Sequence, residues 1–276
     1  MIRRILVPTD GSEAAMLGVR YAAALAKKYE ANLLGVHVVD VKLLEGPFLR
    51  DISASLGTAP YINYQGNIAT ILEERGAAAL RAFEKICEEA AVPRDTVQMT
   101  GIVSRSIVDK AELADLIVMG RGGEHNEWLE GLVGSTTEAV IRRAHRPVLV
   151  TGTETPGDKR LVAAYDGSRN ARNALKTAAN VSVDWNMPVH LLVVGDERMD
   201  GVMDEAAEYL EAHKAPLERV RRTGDPGEVI AGYARECEAD LIVMGAYGHS
   251  KVRELVVGST TSYAINHAPC PVLLTR

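Results

Sequence analysis

The stretch MGRGGEHNEWLEGLVGSTTEAVIRRAHRP, residues 119–147, carries an apolar run into a glycine-bearing loop and then into a helical pattern that stops before Pro147. The run is Leu116-Ile117-Val118-Met119; Gly120 ends it, Gly123 follows, and Gly134-Ser135-Thr136-Thr137 opens the helix. The same order returns as Leu241-Ile242-Val243-Met244, Gly245, Gly248 and Gly258-Ser259-Thr260-Thr261, ending before Pro269 and Pro271. Glycine lets the backbone turn at positive φ and come close to a ligand, while the first N–H groups of a helix lack intrahelical acceptors and carry partial positive charge. Strand, glycine loop and helix in this order can hold a phosphate.

Upstream of the first copy, a short apolar run over residues 4–7 ends at Pro8-Thr9-Asp10-Gly11-Ser12. Ala14, Leu17, Gly18, Tyr21, Ala22 and Leu25 then recur at helical spacing, with Ser12 placed as the N-cap. ANLLGVHVV, residues 31–39, is almost uninterrupted in its apolar character, as suits a strand buried on both faces of a parallel sheet. A long helix over about 71–91, a strand near 97–100, a short helix from about Ser106 and a last strand at 148–150 complete the unit. Residues 151–159, TGTETPGDK, read as a linker, after which the order restarts.

Asp166-Gly167-Ser168 matches Asp10-Gly11-Ser12 at an offset of 156, whereas the glycine loops match at 125 and then 124, so the first half carries about 31 additional residues. Composition assigns most of them to residues 41–70, where Gly, Pro, Ser and Asn interrupt the helical pattern. Two such units predict an α/β chain of two tandem doubly wound, five-stranded, parallel, Rossmann-like sheets, with domains at 1–152 and 158–276. Ligands of such sheets bind beyond the carboxyl ends of the strands where strand order reverses. Asp10, Val38 and Gly120 fall there in the first unit, and Asp166, Val194 and Gly245 in the second.

Composition excludes several classes. A net charge of −6, a pI near 5.7 and only two Phe and two Trp argue against a nucleic-acid binder, which needs cationic surface and stacking platforms. Cys87, Cys237 and Cys270 are scattered without a CxxC pair, the pattern of free thiols in a reducing cytoplasm. The apolar run in MIRRILVPTDG is too short for a signal peptide, and no segment approaches the ~20 apolar residues of a membrane span. The seven histidines are dispersed with no HxxxH or Cys/His cluster, so no structural metal site is predicted.

With PTDGS after the first strand and both glycine loops in strand–loop–helix context, the chain resembles the universal stress proteins in their tandem form, over nearly its whole length. Nucleotide-binding members of that family carry Gly, two residues, Gly, nine residues, Gly, then Ser or Thr. The second copy fits, while the first has ten residues between Gly123 and Gly134. The resemblance implies an adenine nucleotide, ATP, AMP or ADP, at each loop. It implies Asp10 and Asp166 near the ribose or a metal bridging the phosphates, backbone contacts from Val38 and Val194 to adenine, and Gly120 and Gly245 against the ribose. Gly134-Ser135-Thr136 and Gly258-Ser259-Thr260 would hold phosphates. Pro8, Thr9, Met119, Arg121 and Gly123 complete the first site, and Ala164, Tyr165, Met244 and Gly248 the second. Mg suits such a site, since it prefers hard oxygen ligands and phosphates. The resemblance further implies that strands 148–150 and 272–274 pair antiparallel, making the chain an intramolecular pseudo-dimer; a homodimer of the whole chain stays open.

Each signal has a plainer reading. The Gly-Ser-Thr elements could be ordinary helix caps. Caps alone do not account for Gly120 and Gly245 at set distances upstream, which favours phosphate. Asp10 and Asp166 are as well explained by Asx-turns as by metal contact, and both can hold together. Arg121, replaced by Ala246 in the second loop, reads first as a solvated charge and second as a phosphate contact. Segment 41–70 holds Leu43, Leu44, Phe48, Leu49, Ile52, Leu56, Tyr61 and Tyr64, too apolar for a solvated linker, and would cover the first site or a partner. The leading function is a nucleotide-dependent stress-response protein acting on unknown protein partners. The alternatives are a slow ATPase or nucleotidyl-transfer enzyme, although no GxxxxGK[ST] is present, and a scaffold that has lost nucleotide binding in one domain. The additional residue in the first loop predicts that the second site binds more tightly.

Overall fold

The computed structural model describes residues 2–45, 61–122, 134–153, 155–246 and 258–276. The first half supplies β1 (Arg4–Pro8), α1 (Glu13–Tyr29), β2 (Asn32–Asp40), a short α2 (Val41–Glu45), α3 (Tyr61–Ala90), β3 (Arg94–Gly101), α4 (Val103–Lys110), β4 (Leu116–Gly120), α5 (Ser135–Arg143) and β5 (Val148–Thr151). The second supplies β6 (Leu161–Ala164), α6 (Arg169–Trp185), β7 (Val189–Val194), α7 (Asp200–Ala212), β8 (Leu217–Arg222), α8 (Pro226–Glu236), β9 (Leu241–Gly245), α9 (Ser259–His267) and β10 (Val272–Thr275).

The two expected five-stranded sheets are present and are joined edge to edge. Strand order is β3-β2-β1-β4-β5-β10-β9-β6-β7-β8, so each half has the doubly wound order and the halves meet at their last strands. Those strands pair antiparallel, with Val150 opposite Val272 and Val148 opposite Leu274, while the other neighbours run parallel. The reason is apolar area. Val148, Leu149, Val150, Val272, Leu273 and Leu274 are all buried, and at roughly 1.5–3 kcal/mol per side chain their exposure would cost as much as a typical domain's whole stability.

Both faces of the sheet are covered by helices, which is why LIVMG of β4 is buried at every position instead of alternating. One face gathers Ile5, Val7, Tyr21 and Phe83 with Leu161, Leu191 and Leu273; the other gathers Leu6, Ile117 and Val140 with Ile242, Ile265 and Val272. Each layer takes residues from both halves, so the core runs unbroken across the β5–β10 seam. On the α1 side the seam is tied by the Trp185 Nε1–H donating to the Tyr29 hydroxyl, with Lys28 Nζ 4.1 Å from the indole centre. Burial pushes that tyrosine's pKa up to about 12.

Ser12 is the N-cap expected of it: its Oγ accepts from the Ala15 N–H at 3.2 Å, and Ser168 does the same for Ala171 at 3.1 Å. The long helix differs from its sequence reading. Instead of starting near residue 71 it starts at Tyr61, so residues 61–70, assigned to an interrupted insertion, are helical. At 1.5 Å per residue the 30-residue α3 is about 45 Å long, against 13 residues for α7 in the matching position. Gly66 and Gly76 cost the helix only about 1 kcal/mol each, too little to end it. Residues 46–60 lie outside the described residues; next to them Leu43 is half exposed, so packing does not extend to every apolar side chain of the segment.

Candidate functional site

A cavity of about 170 Å³ opens where strand order reverses, beyond the carboxyl ends of β1, β2 and β4. Pro8, Thr9, Asp10, Val38, Met119, Gly120, Gly134, Ser135 and Thr136 line it, joined by residues the sequence reading had not singled out, among them Val36, His37, Ile107 and Thr137. Gly123 lies outside the described residues, as does Gly248 of the second loop.

The turn at the end of β1 is built from both sides. Thr9 is buried; its N–H donates to the Val36 carbonyl at 2.9 Å and its carbonyl lies 2.8 Å from His37 Nδ1. A carbonyl can only accept, so Nδ1 carries the proton. Asp10 Oδ1 then accepts from the Ser12 N–H at 3.0 Å and the Ser12 hydroxyl at 2.6 Å, the Asx-turn that the plainer reading foresaw. Gly11 takes φ +83°, where a side chain would be strained.

Gly120 has a cause that the sequence reading missed. A Cβ there would stand 2.1 Å from the Ala14 carbonyl oxygen, because the first turn of α1 rests directly on the end of β4. At Gly245 the matching Cβ would meet Ala171 N at 2.8 Å. Helix packing therefore suffices to require both glycines, and their set distance from the loop hydroxyls is no independent sign of a ligand.

The two helix starts share one geometry. Gly134, not Ser or Thr, is the N-cap of α5, with φ −59° and ψ 140°, and Gly258 caps α9 with φ −58° and ψ 144°; neither helix has a side-chain cap bond. Ser135 and Thr136 thus occupy the first helical positions, where backbone N–H groups have no intrahelical acceptor, and both residues line the cavity. Thr137 and Thr261 point backwards, donating to the carbonyls of Gly120 at 3.2 Å and Ala246 at 3.1 Å. The additional residue of the first loop, between Gly123 and Gly134, lies outside the described residues.

Arg121 does neither thing expected of its side chain. The guanidinium crosses the seam and donates through Nη2 to the carbonyls of Ala268 at 2.7 Å and Cys270 at 3.2 Å, the end of α9 in the other half. It is half buried there, and burial lowers its pKa from the ordinary value. Long, planar and multiply donating, an arginine can satisfy orphan carbonyls at a helix C-terminus as well as a phosphate.

The second half repeats the frame with other parts. Ala164 ends β6, and Tyr165 donates its N–H to the Leu192 carbonyl at 2.9 Å, as Thr9 does to Val36. Asp166 Oδ1 accepts from the Ser168 N–H at 2.9 Å. Val193 stands where His37 would, and the turn is held instead by the Tyr165 hydroxyl, 3.1 Å from Glu205 Oε1, with Arg172 bidentate on the same carboxylate at 2.7 and 3.1 Å. Burial and the neighbouring carboxylate raise the Tyr165 pKa, and the arginine lowers that of Glu205. Val194 is half buried at the end of β7 and Met244 buried at the end of β9, with Gly258, Ser259 and Thr260 at the start of α9.

The Universal stress protein family model matches residues 1–152 and, a second time, residues 158–276. The chain belongs to this family. A universal stress protein of Synechocystis sp. is 29% identical over 290 residues, spanning 100% of both chains, and one of Methanocaldococcus jannaschii is 36% identical over 153 residues, spanning 54% of this chain and 82% of its own. The crystal structure of a universal stress protein from Archaeoglobus fulgidus has a TM-score of 0.78 over 99% of this chain and 98% of its own at 22% identity, a likeness of fold. In this universal stress protein Cys87, Cys237 and Cys270 are free thiols, and burial pushes Cys87 up to about 11 and Cys270 up to about 12. Among the described residues no helix is long and apolar enough to cross a membrane.

Proposed function

We propose that each domain, 1–152 and 158–276, binds one adenine nucleotide, ATP in the first instance, and that occupancy is read by protein partners in the cytoplasm instead of being consumed in catalysis. The observation that carries this is the start of α5: a glycine cap with no side-chain acceptor, whose first N–H groups open into a cavity at the strand-order reversal. α1, α6 and α8 are capped by Ser12, Ser168 and Asp225, whereas α4, α7 and α9, like α5, have no side-chain cap; what sets the start of α5 apart is that Gly134, Ser135 and Thr136 line the cavity. Phosphates would take the N–H groups of Ser135 and Thr136, adenine the backbone of Val38, and the ribose the end of β1 by Asp10. In the second domain Ser259, Thr260, Val194 and Asp166 would serve, with Gly245, Met244 and Gly248 along the loop. Mg, which is held by one or two carboxylates together with substrate phosphates, would sit between Asp10 or Asp166 and the phosphate chain.

A regulatory reading is favoured over an ATPase because the chain has no GxxxxGK[ST] motif and no lysine stands immediately before the loop hydroxyls of Ser135 and Ser259. Thermal unfolding with Mg-ATP tests the reading: a ligand at a hundredfold excess over Kd adds about 2.7 kcal/mol per site. Among the described residues a Cβ at Gly258 meets nothing nearer than Thr261 Oγ1 at 4.0 Å, so Gly258→Val is expected to fold and to remove the second site's share. Equal shifts in wild type and variant would remove phosphate from the start of α9. Titration of Gly134→Val and Gly258→Val proteins ranks the sites, with the second expected to be the tighter.

A further inference from the structure

We propose that His37 is the positioning residue of the first site: its imidazole holds the Thr9 carbonyl and so sets the Asp10 turn against the nucleotide. This deepens the nucleotide reading and rests on it. The Thr9 carbonyl and the Asp10 N–H belong to one planar peptide unit, so a bond to the carbonyl fixes the plane from which Asp10 departs. β2 grips Thr9 from two consecutive residues, on either side of its Cα: the Val36 carbonyl takes the Thr9 N–H at 2.9 Å, and the His37 Nδ1–H reaches the Thr9 carbonyl at 2.8 Å.

The fold makes room for this ring. A Cβ on Gly76 of α3 would stand 2.4 Å from His37 Cδ2 and 2.8 Å from Nε2, so the glycine lets the helix close over the imidazole edge and hold it in one rotamer. Gln98 of β3 donates to the Glu73 carbonyl at 3.1 Å one turn earlier, fastening α3 in that place. The long helix also meets the turn itself, since a Cβ on Gly11 would stand 3.2 Å from the Ala79 Cβ. Helix, ring and turn therefore form one packed unit around the first cavity, which His37 lines.

The second domain lacks the device. Val193 offers no donor at the matching position, and the Tyr165 side chain anchors its turn to α7 through Glu205. A donor at residue 37 is thus a requirement of the first site alone.

Calorimetric titration with Mg-ATP in the Gly258→Val background, where the first site is the one left intact, tests this with two added substitutions. His37→Val copies the second domain and removes the donor; His37→Asn keeps an N–H close to the place of Nδ1. The proposal expects Kd to rise about tenfold for His37→Val and to stay within about threefold for His37→Asn, as the loss and rescue of one neutral hydrogen bond require. An unchanged Kd in His37→Val overturns it. So does an Asn variant as weak as the Val one, which would make ring volume the cause. Failure of the Gly258→Val parent to bind Mg-ATP overturns the nucleotide reading itself and the proposal with it. Imidazole 15N shifts of the nucleotide-free wild type give a reading independent of any variant's folding, and a His37 tautomer protonated at Nε2 alone overturns the bond to Thr9.

Discussion

The two aspartate turns are copies of one sequence, held in place by unrelated means. In the first domain a histidine from the neighbouring strand grips the turn from below while α3 closes over it. In the second, a buried tyrosine within the turn reaches a carboxylate on α7, itself clamped by Arg172. The first device is partly buried and lies in the cavity wall; in the second the tyrosine is buried but the ion pair that holds it is solvated, with Arg172 and Glu205 side chains 52% and 49% exposed, a setting in which ion pairs contribute little. A repeat preserves what the sheet demands, the Asx-turn and the serine cap, and leaves the support of that turn free to diverge with the helix beside it.

The largest test of this comparison lies where each first helix rests on its glycine. Gly120→Ala would drive a Cβ to 2.1 Å from a backbone oxygen and is expected to destabilise by about 3 kcal/mol, whereas Gly245→Ala, at 2.8 Å from its nearest atom, should cost about 1–2 kcal/mol in urea unfolding. Equal losses would mean that the two halves pack their first helices alike. Next is the seam, where Arg121 and Arg276 each donate to a carbonyl of the opposite half, the latter to Arg142 at 2.8 Å. Arg121→Ala removes two bonds at a half-buried position, for about 2 kcal/mol, and should expose the buried Cys270 thiol to a disulfide reagent. Arg276→Ala, at an exposed position, should stay within about 0.5 kcal/mol; a larger loss there than at Arg121 would reverse the asymmetry.

The smallest effect concerns pH. His190 of β7 is buried where the first half has buried Leu34, with its Nδ1 2.7 Å from the Tyr233 hydroxyl. Burial lowers its pKa below 6.5, against a smaller opposing pull from Glu218, so the unfolded chain takes up the proton first as pH falls. Its contribution is therefore complete above pH 6.5 and lost as pH falls through the folded pKa. His190→Leu, which installs the first half's residue, should flatten the unfolding free energy over that window; an unaltered slope from pH 7 to pH 5 would show that another group titrates there.

Much of the frame was legible in advance because it rests on local, repeating chemistry. Apolar runs of strand length, Asp-Gly-Ser turns and glycine helix starts each act within a few residues, and finding them twice at related offsets placed β1, β4, β6 and β9 and, for α1, its serine cap. The start of α3 was not legible, since Gly66 and Asn67 read as breakers although each costs a long helix little. His37 left a faint trace: one polar residue in an otherwise apolar run, immediately before Val38.

By itself the sequence determined the α/β class, the two-fold repeat, the turns that end β1 and β6, and the glycine starts of α5 and α9, because these follow from periodicity and backbone preference over short spans. Only the tertiary structure decided where the long side chains go and why certain glycines are glycines. Arg121 ends on a carbonyl 147 residues away, and Gly120 is required by a helix turn that begins at Glu13. A hydrogen bond of 3 Å or a Cβ collision of 2 Å is fixed by the packing of elements distant in the chain, and no local pattern carries that distance.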